Sequence, residues 1–394
     1  FNLNMKFNNY YFYISLIYFS WIISIFLYFI FDDYVKAGTL VDGVKLGTDS
    51  HYYFKLVNDI ISGEASLLDY KSKIGFLSFL YPFIYFDLPL FYIVVIQFFL
   101  TAISAICLYK ITSKYFCKLS GIICMAIFLF YFPLQIRNFY ILTEILFIDL
   151  SIIFIYFLVF FEKKIIPIIF TIFVLLVSIR PNGILFLFSL LLSIFLFLNE
   201  KKKYKYFFMY FIFLSFLTLP LINILNSYLQ DLNMIEHLIN KGIIWGWSFE
   251  NNEICENSCL ALKLENNNLT NSIAGFFNFV LLNLSELLFI FIQKIFWLLV
   301  RIRPYYSDLH NFYILFFLLL IYPTFIFGFI KKPKNDFSLN VILFYILFSI
   351  ILVGFTFADW SGRFSLYFLP FIMIFSSYGI LIFLRNIFHI FKKN

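Results

Sequence analysis

Apolar runs recur along the whole chain, separated by short polar clusters. A helix of about 20 apolar residues crosses the roughly 30 Å hydrocarbon core of a bilayer, and it satisfies all its backbone polar groups internally. The pattern predicts ten membrane-crossing helices, at 10–31, 76–112, 119–135, 145–161, 165–179, 183–198, 206–225, 312–330, 338–356 and 364–384. "DLP" at 87–89 is a candidate break in the long second one. The first run is too long for a signal-peptide core and has no small-residue cleavage site.

Two stretches have helical periodicity but do not fit a simple crossing. Over 50–62, Phe54, Val57, Ile60 and Ile61 share one face, while His51, Lys55, Asn58 and Asp59 share the other. Thirteen residues are too few to span, so this predicts a helix lying in the interface, with Asp49 at its N-terminus. Over 276–300, Asn283, Glu286, Gln293 and Lys294, continued by Arg301, form one polar stripe. That predicts a second interfacial helix or a re-entrant pair.

Composition sharpens the class. The chain is 63% hydrophobic and only 13% charged, where a soluble domain is about one quarter charged. The 61 phenylalanines, with abundant Ile, Asn and Lys, are what an AT-rich genome puts at lipid-facing positions. The net charge of +7 does not indicate nucleic acid, because no basic stripe alternates with stacking aromatics. The fold expected is an all-α polytopic membrane protein, one membrane domain over 1–394, with about ten transmembrane helices and interfacial helices on the external face.

Lysine clusters give the orientation. Lys110, Lys114 and Lys118, then Lys163 with Lys164, "KKKYK" at 201–205, "KKPK" at 331–334, and Lys392 with Lys393 all fall on one side of this threading. The positive-inside rule makes that side cytoplasmic. The external parts are then loop 32–75, with its interfacial helix, and a large region over 226–311 containing 276–300. Cys255 and Cys259 in "CENSC" could close a short disulfide there, and with only His237 nearby in sequence a metal site is the lesser reading. Cys107, Cys117 and Cys124 read as small core residues.

Five of the six arginines contradict the lysine pattern. Arg137, Arg180, Arg301, Arg303 and Arg363 border spans at their outer ends, and only Arg385 lies on the lysine side. A guanidinium is a planar fork suited to phosphate oxygens, so arginines gathered at one face suggest a site for an anionic lipid headgroup. Snorkelling or pairing with a carboxylate accounts for any one of them. The acids at that face are Asp49, Glu144 and Asp359. Asp49 in "TDS" is also a candidate helix cap, and Glu144 favours a helix start. His51, His310, Tyr52, Tyr53, Tyr305, Tyr306 and Trp245-Gly246-Trp247 fit an interfacial belt, or a surface on which sugars stack. The chain has no Gly-rich phosphate loop, HExxH or GxSxG motif, which argues against an ATP-driven pump.

The order of these features resembles the GT-C superfamily of integral-membrane glycosyltransferases, which includes protein O-mannosyltransferases and aminoarabinose transferases. "TDSHYYFKLVNDIISGE" is similar to that family's first external loop, "YILTEILFIDLSIIFIYF" to its second, "SIRPNGILFLFSLLL" to its Arg-Pro-x-Gly helix start, and "WSGRFSLYFLPFIMIFSSYGI" to its late Arg-aromatic-Pro helix. No aspartate pair follows the first-loop acid, Glu144 stands where many members have Asp, and no large soluble domain follows.

The resemblance implies transfer of a sugar from a polyprenyl-phosphate carrier to a glycan, lipid or protein acceptor. The site would lie on the external, periplasmic side of a bacterial plasma membrane. Asp49 and Glu144 would be catalytic, and His51, Tyr52, Arg137, Arg180, Arg301, Arg303, His310 and Arg363 would bind substrate. No metal ligand is assigned, and a divalent metal stays open. Two rivals remain: an oligosaccharide polymerase or ligase with a pyrophosphate-linked donor, and a lipid or solute transporter, for which mid-span Asp149 is the relevant residue.

Overall fold

A computed structural model describes residues 9–31, 39–41, 44–200, 273–302, 307–333, 336–355 and 363–393. The predicted helix 206–225, Cys255 and Cys259, the 245–247 aromatics, Arg303, Tyr305, Tyr306 and Asp359 lie outside them.

The described residues are helical apart from turns and one short hairpin, β1 (Thr39–Val41) antiparallel to β2 (Val44–Leu46). The helices are α1 (Asn9–Phe31), α2 (Thr48–Ile61), α3 (Ile74–Tyr85), α4 (Phe91–Tyr115), α5 (Lys118–Phe130), α6 (Thr143–Val159), α7 (Ile166–Ile179), α8 (Ile184–Glu200), α9 (Ile273–Leu282), α10 (Leu284–Val300), α11 (Asp308–Ile330), α12 (Phe337–Phe355) and α13 (Leu369–Lys393).

Five described helices are long and apolar enough to cross a membrane: Phe91–Tyr115, Pro181–Asn199, Asp308–Ile330, Phe337–Gly354 and Leu369–Asn386. A sixth candidate is a broken one, Lys118–Phe130 with Phe132–Phe139, bent by 58°. The protein is therefore an all-α, membrane-embedded chain, with fewer crossings among the described residues than the ten predicted. The physical reasons are specific. The long stretch 76–112 divides into α3 and α4 at "DLP", where Asp87 adopts φ 50°. Helices α6 and α7 have 17 and 14 residues, about 25 and 21 Å at 1.5 Å per residue, short of the full hydrocarbon thickness. Pro133 begins a new turn of helix after Tyr131, which accounts for the bend.

The chain forms two compact units. The first comprises 1–186, 320–334 and 369–394, and the second 187–319 and 335–368. In the first, α4 packs on α5 and α6, α13 on α5, and α3 on α2 and α7. Small residues permit close approach, as is common between helices in membranes. A Cβ on Gly328 would lie 1.9 Å from the Phe375 carbonyl oxygen, and one on Gly379 1.9 Å from that of Thr324, so α11 and α13 need both glycines where they cross. Ser376 Oγ donates across the same contact to the Ile321 carbonyl at 2.9 Å. The outward side of α4 carries Phe99 and Ile103, exposed large apolar residues of the kind that face lipid. In the second unit α10 packs on α12, and the short turn Phe364–Tyr367 lies against both.

Candidate functional site

Helix α2 follows β2 directly and starts at Thr48, two residues earlier than its periodicity predicts. Its N-cap is Gly47, whose N–H donates to Ser50 Oγ at 3.1 Å. Asp49 is therefore the second residue of the helix, not its cap. Ser50 also donates to the Ile141 carbonyl at 3.0 Å, tying the start of α2 to the segment before α6.

The polar face of α2 points outward as expected, with His51, Tyr52, Lys55 and Asn58 exposed, while Tyr53, Leu56 and Val57 are buried. Asp49 and Tyr53 are four residues apart and so share a helix face. Tyr53 packs edge-on against Phe76 at 4.9 Å. The Lys73 ammonium sits over the rings of both Tyr52 and Tyr53, at 4.7 and 5.1 Å.

Below Tyr53 lies a buried ion pair. Arg180 Nη1 is 2.9 Å from Glu144 Oε1 and donates to Thr143 Oγ1 at 2.8 Å. Thr143 and Glu144 open α6, where an acid suits the helix dipole. Arg180 ends α7 in extended backbone. The chain then turns tightly through Pro181–Gly183, and a Cβ on Gly183 would meet the backbone of Leu176 and Val177 at 2.7 Å. The glycine of "SIRPNG" thus lets α8 start against α7 and fixes where Arg180 points.

Tyr53 links these parts. Burial raises its phenol to about 12, with the charges of Glu144 and Asp49 adding and Arg180 and a Thr143 side-chain hydrogen bond opposing. The proton therefore stays on Tyr53, and Asp49, Tyr53, Thr143, Glu144 and Arg180 form one electrostatic group. Asp49 is half-buried, whereas Glu144 is 1% exposed. A partly exposed acid and a buried, paired one acting on the same tyrosine have the makings of acid–base chemistry with a fixed counter-charge.

The remaining described candidates are divided between the two units. Arg137 belongs to the first unit, in the turn Ile136–Phe139, with its guanidinium 5.8 Å from the Tyr140 ring centroid. The second unit holds Arg301, His310 and Arg363. Arg301 ends α10 at φ 56°, a left-handed conformation that favours glycine, and is 2% exposed. His310 lies within electrostatic reach of it, and its backbone N–H donates to Ser307 Oγ at 3.3 Å. Arg363 packs its guanidinium over Phe364 at 5.6 Å. Arg137 and Arg180 thus belong to the first unit, and Arg301 and Arg363 to the second. Tyr53, read in the sequence only as a belt or sugar-stacking aromatic, joins the group, as does Thr143, which was not singled out. The four-residue spacing from Asp49 could have identified Tyr53. Among the described residues no three of His, Cys, Asp and Glu come together as a metal-ligand set.

No family model, curated protein or solved structure matches the chain.

Proposed function

We propose that the protein is a GT-C-like glycosyltransferase that moves a sugar from a polyprenyl-phosphate carrier to an acceptor hydroxyl at the external face of the membrane. The observation that carries this reading is Tyr53, one turn on from Asp49 on a helix with a polar outer face, whose buried phenol feels the charges of both Asp49 and the Glu144–Arg180 pair. The motif order of the sequence supports it as a resemblance. In this reading Asp49 accepts the acceptor's proton as its oxygen bonds to the anomeric carbon. The bond from that carbon to the phosphate oxygen breaks, and polyprenyl phosphate leaves with the negative charge. A single displacement inverts the anomeric centre. Arginine guanidinium groups stabilise the leaving phosphate. Glu144, fixed by Arg180, orients the acceptor. Ten crossings, a bacterial plasma membrane and a periplasmic site belong to the same proposal.

The test is release of polyprenyl phosphate. The full chain in vesicles would be given a panel of polyprenyl-phosphate hexoses and pentoses, with membrane extract as acceptor source. Release that requires both the protein and an acceptor is expected. Absence of release across the panel, alongside movement of a donor lipid from one leaflet to the other, would replace the enzyme with a transporter.

A further inference from the structure

Asp149 lies two turns into α6 and is not among the charges that act on Tyr53. It is fully buried in α6. Its Oδ2 lies 2.9 Å from Thr101 Oγ1, and Ser104 Oγ donates to its backbone carbonyl at 3.2 Å. Thr101 Oγ1 also lies 3.0 Å from Asn138 Oδ1. The hydroxyl has one proton for two acceptors. The Asn138 amide cannot resolve the conflict by turning over. Its Nδ2 faces Gln135 Oε1 at 3.4 Å, and Gln135 in turn gives its Nε2 to the Phe128 carbonyl at 3.0 Å.

Two more oxygens add to the surplus. Asp149 Oδ1 and Gln97 Oε1 are buried with no hydrogen-bond partner among the described residues. Gln97 is held at the cluster because its Nε2 donates to the Asn138 and Tyr140 carbonyls at 2.8 and 3.1 Å. Gln97, Thr101 and Ser104 are consecutive turns of one α4 face. No basic side chain pairs with Asp149 among the described residues. Lys110, on the same helix, is exposed and sits over the Tyr156 ring at 5.6 Å.

A buried carboxylate surrounded by acceptors lacks a positive partner. The setting is one that membranes reserve for ions. An acid inside the bundle stands next to a helix broken by 58°, and Asn138 lies in its second half. We propose that Gln97, Thr101, Asn138 and Asp149 form a binding site for a monovalent alkali cation of sodium's class. One carboxylate balances one charge. Hydroxyl and amide oxygens are hard donors suited to such an ion. A divalent ion would need more acids than the site holds. Bound there, the cation would clamp α4, α6 and the Ile136–Phe139 turn together. The proposal does not depend on the glycosyltransferase reading.

The experiment is thermal unfolding of the full chain in nanodiscs at fixed pH and ionic strength, with sodium chloride exchanged for choline chloride. The midpoint is expected to rise with the logarithm of sodium concentration, as for a ligand of the folded state. Asp149→Asn should fold and lose the rise. Thr101→Val should shift it to about tenfold higher sodium, the scale on which altered metal sites respond. Equal midpoints in sodium and choline would overturn the site, as would a sodium response kept in Asp149→Asn. Stabilisation by acid alone, with none from sodium, would also overturn it by putting a proton in the ion's place.

Discussion

Helices α2 and α10 have the same kind of sequence pattern and are built in opposite senses. Each has a polar stripe at helical spacing, and each stripe predicts a helix lying at the membrane surface. In α2 the stripe faces out: His51, Lys55 and Asn58 are exposed while Tyr53, Leu56 and Val57 are buried. At α10 the arrangement is inverted. Asn283, Lys294 and Arg301 are buried, whereas Leu284, Leu288, Phe289, Ile292 and Phe296 are exposed. The break at Asn283 between α9 and α10 belongs to the same design, since its Nδ2 donates back to the Phe279 carbonyl at 3.0 Å. The helical period reports that a helix has two faces; the surrounding medium decides which one turns inward. A polar outer face, as on α2, suits water, and an apolar outer face, as on α10, suits lipid.

The largest effect is expected beneath α2. Arg180→Ala leaves Glu144 buried without its cation, which costs about 3–5 kcal/mol. Adding Glu144→Gln should recover much of the loss, because the uncompensated charge is gone. Unfolding in nanodiscs measures both, and equal losses in the single and double variants would mean the pair contributes packing alone.

Next in size is Ile292→Lys on the exposed side of α10. A lysine there costs about 2.5–3.5 kcal/mol if lipid surrounds it at depth. The folded fraction recovered from membranes should drop accordingly. An unaffected yield would place that side in water and make α10 the same kind of helix as α2.

Tyr53→Phe should change stability by no more than about 1 kcal/mol at neutral pH, and it has a pH signature. The folded phenol is raised from 10.0 to about 12. Between those values the unfolded chain releases the proton while the folded one keeps it, so wild-type stability falls as pH rises through that window. The variant should lack this part of the decline. The smallest effects belong to the outer face of α2. Lys55→Ala and Asn58→Ala should stay within about 0.5 kcal/mol of wild type.

Much of the fold was legible because lipid imposes a simple code. The helix bounds predicted at 183–198 and 338–356 lie within two residues of α8 and α12, both long and apolar enough to cross; those at 165–179 match α7, which is shorter than a span; and the break at "DLP" falls where expected. What escaped has identifiable causes. Residues 119–135 look like one apolar run, but Pro133 bends it, and after the bend Gln135 bonds back to the Phe128 carbonyl while Asn138 meets Thr101. The side toward which the α10 stripe faces cannot be read from a period that is identical for either choice. Within the site, Asp49 and Glu144 were legible as acids at helix starts. The Glu144–Arg180 pair was not, since 36 positions separate the partners and nothing local in "YILTEILF" or "SIRPNG" links them. Tyr53 looked like an interfacial aromatic because the Phe76 ring against it and the charges of Glu144 and Arg180 near it are brought there only by the tertiary fold.

The central claim is that Asp49 does chemistry at this site. Gly47 is the N-cap and Ser50 bonds back to it, so Asp49 is not the capping residue, and Asp49→Asn, which keeps the size of the side chain, should leave the unfolding midpoint close to wild type. The direct measurement is release of polyprenyl phosphate from a lipid-linked sugar by wild type and Asp49→Asn at equal folded concentration. The account predicts at least about a hundredfold loss of rate, the scale of a removed general base. Release at the wild-type rate by the folded variant would contradict it.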